Sequence, residues 1–509
     1  MAGLRATYRH PAERRYRRPG GPWTGPTLDG AVAAAGAHDS LVVDGDARLS
    51  AAEVEHRAAA LAGGLRSLGV RRRSIVAWQL PNWHEAVLLH RACWRLGAVA
   101  APLHDRAGAR EVETSLEHHD PAVVLAAEGL PAAGWPAAVV VRGRDTMRDL
   151  FDAPPVHDPA ARRSDLAAVL HTSGSTAGPK VVLHTHRTLA YKARAMAEVH
   201  GLGRSDAVLM PAPLAHISGL LYSALVPGVV PHKTVLMDRW DPDRALALIA
   251  AEEVTMMVGP PTYFTDLMAA PAFAPATVAS LRLVSTGGAG VSPSFAAEAG
   301  EVLGAVVKRT YGSTEAPSVT TTPAGGDPSR AATTDGRPYG ETVLRISDPD
   351  DHRELDAGSV GELWLRGPEL FAGYADPAHT AAATHRGWFR TGDLASVDAD
   401  GWLTVSGRVG DVIIRGGENI SVAEIERVLE ANAAVRQAVA VGEPDQRLGE
   451  RVAAFVVGSE GFDLDACRTW FADQGVARFK WPERLVHVDR LPTLAAGKPD
   501  RKSLRALLA

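Results

Sequence analysis

His171-Thr-Ser-Gly-Ser-Thr-Ala-Gly-Pro-Lys180 lies between two apolar runs, Ala167–Leu170 and Val181–Leu183. The runs read as buried strands. The segment between them carries the hydroxyls of Thr172, Ser173, Ser175 and Thr176, the glycines Gly174 and Gly178, and Lys180. Such a segment cannot bury its own polar groups. It can present backbone N–H groups, hydroxyls and an ammonium to a polyphosphate. By itself the segment also reads as a plain Ser/Thr/Gly turn. It is not a Walker A loop, which needs Gly, four residues, Gly-Lys and then Ser or Thr. Here Gly174 and Gly178 are too close, Pro179 intervenes, and Val181 follows Lys180.

Outward from this segment, strand-like runs alternate with helical patterns from about residue 30 to 410. Ser74–Leu80, Val123–Ala126, Ala138–Val141, Ala207–Met210, Thr234–Met237, Thr255–Val258 and Arg282–Ser285 read as strands. Ser50–Leu68, His84–Leu96 and Arg187–His200 have helical spacing. The alternation predicts an α/β fold of layered, largely parallel sheets. A β-rich stretch follows, with strands at Gly361–Arg366 and Gly401–Val405. After Gly407-Arg-Val-Gly-Asp411 comes a compact tail. It reads as strand Val412–Arg415, helix Val422–Leu429, strands near Ala438–Val441 and Val452–Val457, and helix Leu464–Asp473. Ser421 with Glu424 forms a capping-box pattern. The expected division is a leader over 1–29, a large α/β domain over 30–409, and a small mobile α+β domain over 410–509.

At 509 residues the chain is too long for one hydrophobic core. Net charge of −5 and a pI near 6.4 exclude a basic nucleic-acid binder. No apolar run approaches the roughly 18 residues of a membrane span. Two cysteines, Cys93 and Cys467, exclude a disulfide framework and point to the cytoplasm. The first twenty residues hold Arg5, Arg9, Arg14, Arg15, Arg17 and Arg18, with Pro11, Pro19, Gly20 and Gly21 as breakers. They read as a solvated leader.

Three further elements carry chemistry. In Lys308-Arg-Thr-Tyr311-Gly-Ser-Thr-Glu315, a tyrosine can stack on a purine, Gly312 permits close backbone approach, and Glu315 can hold a divalent cation on a phosphate. In Trp388-Phe-Arg-Thr-Gly-Asp393-Leu, a carboxylate can accept ribose hydroxyls, with Arg408 downstream. Leu491-Pro-Thr-Leu-Ala-Ala-Gly497-Lys498 places a lysine on a glycine-containing loop. Each has an ordinary reading as a turn or a surface lysine.

In their order and spacing these motifs resemble the adenylate-forming superfamily of acyl- and aryl-CoA synthetases, peptide-synthetase adenylation domains and beetle luciferases. The resemblance runs from about residue 30 to the end. It includes Pro213-Leu-Ala-His216-Ile-Ser-Gly-Leu220, Ser285-Thr-Gly-Gly-Ala289, Asp335-Gly-Arg-Pro338 and Arg415-Gly-Gly-Glu-Asn419-Ile-Ser-Val-Ala-Glu424-Ile-Glu426. Leu80-Pro-Asn-Trp83-His-Glu85 and Ile413–Ser421 look most like medium-chain and cyclohexanecarboxylate CoA ligases.

The resemblance implies attack of a carboxylate on the α-phosphate of ATP, then transfer of the acyl group to a thiol, usually that of CoA. It implies that Thr172, Ser173, Gly174, Ser175, Thr176 and Lys180 hold the outer phosphates, and that Glu315 ligates Mg²⁺. Gly287, Gly288, Ala289, Tyr311, Gly312, Ser313 and Thr314 would surround the nucleoside, and Asp393 and Arg408 would fix the ribose. Lys498 would bridge the carboxylate and the α-phosphate. His216 would stand beside the acyl pocket, which Ser218, Gly287, Thr310, Gly312, Pro317 and Ser318 would line. Gly410 and Asp411 would form the hinge of the small domain, and Arg415, Gly416, Gly417, Glu418 and Asn419 would line the thiol tunnel. No aspartate lies between Pro213 and Leu220, which disfavours an α-amino acid.

Three positions depart from the family pattern. Ala177 and Val181 stand where glycines are usual, and Gly410 stands where Asp or Lys is usual. None removes a catalytic charge. They leave room for a different oxyanion or acceptor, such as nitrite with an aryl amine or a carrier protein, and for a nucleotide-binding scaffold. The oligomeric state is open.

Overall fold

The computed structural model describes residues 4–33, 41–172, 180–288, 291–409, 412–415, 418–445, 448–459, 461–476, 478–494 and 499–508. Two large sheets form the body. The first has six strands in the order Val139–Val141, Val123–Ala127, Ile75–Gln79, Val99–Leu103, Leu166–Thr172 and Lys180–Thr185. The first five run parallel and the last pairs antiparallel with its neighbour. Its central strands are buried at every position, as a sheet covered on both faces requires.

The second sheet has nine strands. Parallel strands Val42–Asp44, Lys233–Leu236, Ala207–Met210, Met256–Gly259, Leu283–Gly287 and Val306–Tyr311 form its body. Short antiparallel strands close both edges. Helix His84–Leu96 is buried along its whole length. Its apolar side chains share one core with residues from both sheets, so the helix acts as a common wall between them. Helix Ala51–Ser67 begins in a capping box, with Ser50 Oγ accepting from Glu53 N and Ser50 N donating to Glu53.

A smaller antiparallel sheet follows, built on Val343–Ser347, Gly361–Arg366, Trp388–Val397 and Leu403–Arg408. The tail has its own sheet. Val412–Arg415 and Glu418–Ser421 form a hairpin, Val435–Asp445 and Gly449–Gly458 a long antiparallel pair, and Arg484–His487 joins in parallel. Helices Val422–Glu430 and Leu464–Asp473 cover it over a separate apolar core. The molecule is therefore an α/β protein with a large N-terminal part and a small C-terminal part. Among the described residues no helix is long and apolar enough to cross a membrane.

One sequence expectation changes. The arginine-rich opening packs on the body through part of its length, while its arginines are exposed. Thr7 and Tyr8 N–H groups donate to Ala372 O, Trp23 Nε1 donates to Pro368 O at 2.9 Å, and Tyr16 and Trp23 are each 4% exposed. Asp29 is buried and pairs with Arg95 at 3.0 Å. Three aromatic side chains outweigh the arginines, whose charged heads stay at the surface.

Burial pushes the imidazoles of His10, His90, His184 and His186 down to about 4, from an ordinary value near 6.5. They are neutral in the fold, whereas unfolded histidines take up protons below about 6.5. Their contribution is therefore complete above that pH and is lost as pH falls towards about 4. The urea midpoint should drop from pH 7 to pH 4.5, and a constant midpoint would contradict this. Trp23→Ala should destabilise the large domain by about 3–5 kcal/mol, read from urea unfolding. A change near zero would restore the solvated reading of the opening segment.

Candidate functional site

The hairpin Leu166–Thr172/Lys180–Thr185 sets Thr172 directly opposite Lys180, at the two ends of the Ser/Thr/Gly segment. The chain at 371–375 lies along the second of these strands. Ala372 N donates to Leu183 O, Leu183 N to Gly373 O and Ala375 N to Val181 O. This strap brings Tyr374 under Lys180, whose Nζ is 5.2 Å from the ring centroid. The Tyr374 hydroxyl donates to Glu315 Oε1 at 2.6 Å. Burial and the Glu315 carboxylate raise the phenol far above its usual range, so it remains a donor. Lysine, tyrosine and glutamate thus form one chain of contacts. Val181 is half-buried and packs against the neighbouring apolar cluster, so its side chain has a place there.

Beside Thr172, His171 Nε2 lies 2.8 Å from His119 Nε2. Burial pushes His171 down to about 4 and His119 to about 3, so both rings are neutral, and one donates to the other.

A second cluster forms where strand Val306–Tyr311 ends. Tyr311 hydroxyl donates to Asp393 Oδ2 at 2.6 Å, and Arg408 Nε donates to Asp393 Oδ1 at 2.7 Å. Asp393 and Arg408 face each other across strands Trp388–Val397 and Leu403–Arg408. Burial and the Asp393 carboxylate hold the Tyr311 phenol well above its usual range. The alignment depends on a buried bidentate pair. Arg309 binds Asp335 at 3.1 and 3.0 Å, and Asp335 Oδ2 also accepts from Val405 N at 2.8 Å. One carboxylate therefore ties the strand that carries Tyr311 to the strand that carries Arg408.

The turn between these clusters is tightly built. A Cβ on Gly312 would lie 2.1 Å from Ser318 N. Ser313 N donates to Ala316 O, and His184 Nε2 donates to Thr314 O at 2.8 Å. Ser318 adopts φ of 41°, and its carbonyl accepts from the buried Lys192 at 2.8 Å and from Tyr339. Burial lowers Lys192 to about 8. Pro317 is buried within the turn.

Gly287 sits opposite Thr310, and a Cβ there would lie 2.1 Å from Thr310 O. The Thr310 hydroxyl bonds to Ser285 and Thr321, so it is engaged between strands rather than turned to a ligand. Gly288 has φ of 76°. His216 caps the turn Ile217–Leu220, which holds Ser218, and its ring meets His104 edge-on at 5.7 Å. In the tail, Arg415 makes a bidentate pair with Glu483 at 3.0 Å, which engages its guanidinium within the small domain. Ser173, Gly174, Ser175, Thr176, Ala177, Ala289, Gly410, Asp411, Gly416, Gly417 and Lys498 lie outside the described residues, as do the side chains of Glu418, Asn419 and Ser421.

The structure thus gathers Thr172, Lys180 and Glu315 into one group and Tyr311, Asp393 and Arg408 into another. The two are joined by the turn 312–318. Sequence reasoning missed Tyr374, His184 and Lys192, which hold the first group and the turn. Gly373-Tyr374 carries no local signal of its partner some sixty positions earlier in the chain.

Residues 30–375 match the AMP-binding enzyme family, and residues 424–498 match the AMP-binding enzyme C-terminal domain. A medium-chain fatty-acid–CoA ligase of Escherichia coli (strain K12) is 32% identical over 89% of this chain and 84% of its own length. An indoleacetate–CoA ligase of Aromatoleum aromaticum is 32% identical over 91% of this chain and 93% of its own. Among solved structures, ATP-bound MatB from Rhodopseudomonas palustris superposes with a TM-score of 0.86 at 28% identity, covering 95% of this chain and 99% of its own.

Gly312→Ala forces the added methyl against the Ser318 backbone and should displace the turn between the two groups. AMP affinity should fall at least tenfold by calorimetry, and an unchanged affinity would show that the turn does not position a nucleotide site.

Proposed function

The chain belongs to the AMP-binding enzyme family, and from that membership we propose that it activates a small carboxylic acid with ATP as an acyl-adenylate and transfers the acyl group to CoA. The observation that carries this reading is the pairing of two unlike groups on one short turn. An ammonium and a carboxylate are held apart by Tyr374, and a carboxylate–arginine–phenol cluster is held by Arg309 and Asp335.

Bringing a carboxylate anion to a polyphosphate is costly, so the catalyst must neutralise charge and align the reactants. Lys180 would face the outer phosphates, together with Thr172, Ser173, Gly174, Ser175 and Thr176. Asp393 would accept the ribose hydroxyls while Arg408 and Tyr311 fix its orientation. Gly287, Gly288, Ala289, Gly312, Ser313 and Thr314 would frame the base and the sugar. Glu315 offers a hard carboxylate oxygen that suits Mg²⁺, which when bound would neutralise phosphate charge. Tyr374 orients that carboxylate from the other side.

Lys498 would supply the cation between the carboxylate and the α-phosphate. After adenylation, residues 410–509 would turn about Gly410 and Asp411 and bring Arg415, Gly416, Gly417, Glu418 and Asn419 to the thiol path. His216 and Ser218, with Pro317 and Ser318, would bound the acyl site. A compact aliphatic or aromatic acid is the substrate class. The relatives named above act on a medium-chain fatty acid and on indoleacetate. The two cysteines are free and buried, in keeping with a reducing cytoplasm.

A panel of carboxylates, with nitrite as control, should give AMP and pyrophosphate release that depends on an acid and thioester that depends on CoA. Adenylation seen only with nitrite would overturn the reading. Lys498→Ala should cut pyrophosphate release ~10²–10³-fold while sparing thiolysis of a supplied acyl-adenylate. Equal loss of both steps would remove Lys498 from its assigned role.

A further inference from the structure

The opening segment, packed on the body, completes a basic pocket at the end of the large domain away from the proposed nucleotide site. The pocket has a volume of about 430 Å³, and its lining includes Arg17, Arg162, Arg163 and Arg187 with Thr27 and Ser164. That volume suits a small ligand rather than a flat protein contact. Arg163 and Ser164 lie just before strand Leu166–Thr172, whose far end carries Thr172. At about 3.3 Å per residue the strand separates the pocket from the phosphate segment by about 20 Å.

The charges here are not balanced within the protein. Glu13 is shared between Arg187 at 2.9 Å and Arg17 at 3.4 Å. Asp165, the neighbouring carboxylate, is held by Arg72 at 2.6 Å and by the Arg162 backbone N–H at 2.8 Å. Among the described residues, neither Arg162 nor Arg163 has a carboxylate within 4.0 Å. Arg187 is placed rather than loose. Its guanidinium sits 3.9 Å from the centroid of the buried Trp23 ring, and its Nε is shielded without a hydrogen-bond partner. A chain of net charge −5 thus gathers four arginines around one hollow.

We propose that this pocket binds the phosphate group of a small phosphorylated molecule, as a second anion site separate from the nucleotide site. Guanidinium groups suit a phosphate because each offers paired N–H donors in a fixed plane, and several of them share its double charge. The opening segment brings Arg17 and Trp23 to the pocket, which gives Arg17 a role beyond solvation.

Inorganic pyrophosphate is the probe, titrated calorimetrically into the full-length protein at constant ionic strength set with chloride. The wild type should bind at two classes of site. Arg162→Ser/Arg163→Ser, both exposed and free of fold-holding side-chain bonds, should lose one class with at least a tenfold fall in its affinity and keep the other. A control pair of exposed arginines elsewhere, Arg148→Ser/Arg436→Ser, should leave both classes intact. Lys180→Ala should weaken the class that survives in the Arg162/Arg163 variant. Two classes unchanged in the Arg162/Arg163 variant, or an equal fall in the control pair, would overturn the proposal. Loss of the Lys180-dependent class alone in the Arg162/Arg163 variant would overturn it as well.

Discussion

Tyr374 touches both an ammonium and a carboxylate, which do not pair directly with each other. Its ring lies under Lys180 and its hydroxyl is spent on Glu315. Among the described residues Lys180 has no carboxylate within 4.0 Å. An ammonium over a ring is held by about 0.5–2 kcal/mol, enough to place it and too little to compete with a phosphate. A direct lysine–glutamate pair in the same half-buried place would have to be broken before any polyanion could bind. The phenol keeps the two charges near one another without letting them cancel.

Backbone geometry makes that spacing possible. Tyr374 arrives because residues 371–375 run along strand Lys180–Thr185, and Glu315 arrives because its own carbonyl accepts from Phe371 N–H at 2.9 Å. The same turn continues from Tyr311, which reaches Asp393 and so the second cluster. The buried Arg309–Asp335 pair then fixes the strand that ends in Arg408. Removing one partner of such a pair leaves an uncompensated charge inside, at a cost of several kcal/mol. The two clusters share one framework for this reason, whereas position 498 closes the stretch that matches the C-terminal domain of the family, and the tail has its own core.

The sequence was most legible where one periodicity acted alone. Ile75–Gln79, Ala207–Met210 and Val123–Ala127 are apolar runs between turn signals, and each forms a strand within a residue or two of its expected bounds. Strand Val99–Leu103 escaped notice because alanine and Pro102 weaken its β signal, and pairing with its neighbours decides its state. Asp393 and Arg408 could be matched because the motifs fix their spacing. Tyr374, His184 and Lys192 could not, since each acts through a contact more than fifty positions away in the chain. The first segment failed for a compositional reason. Its arginines outnumber Tyr8, Tyr16 and Trp23, but Tyr16 and Trp23 are buried and Tyr8 stacks on Phe371.

The most direct measurement is a pair of calorimetric titrations, ATP with Mg²⁺ and AMP alone, into the wild type and Tyr374→Leu. If the tyrosine keeps Lys180 and Glu315 apart for the outer phosphates, the variant loses at least tenfold in ATP affinity, together with its Mg²⁺ dependence, while AMP binding is retained through Asp393. Equal losses for ATP and AMP, or no loss for either, would contradict that account.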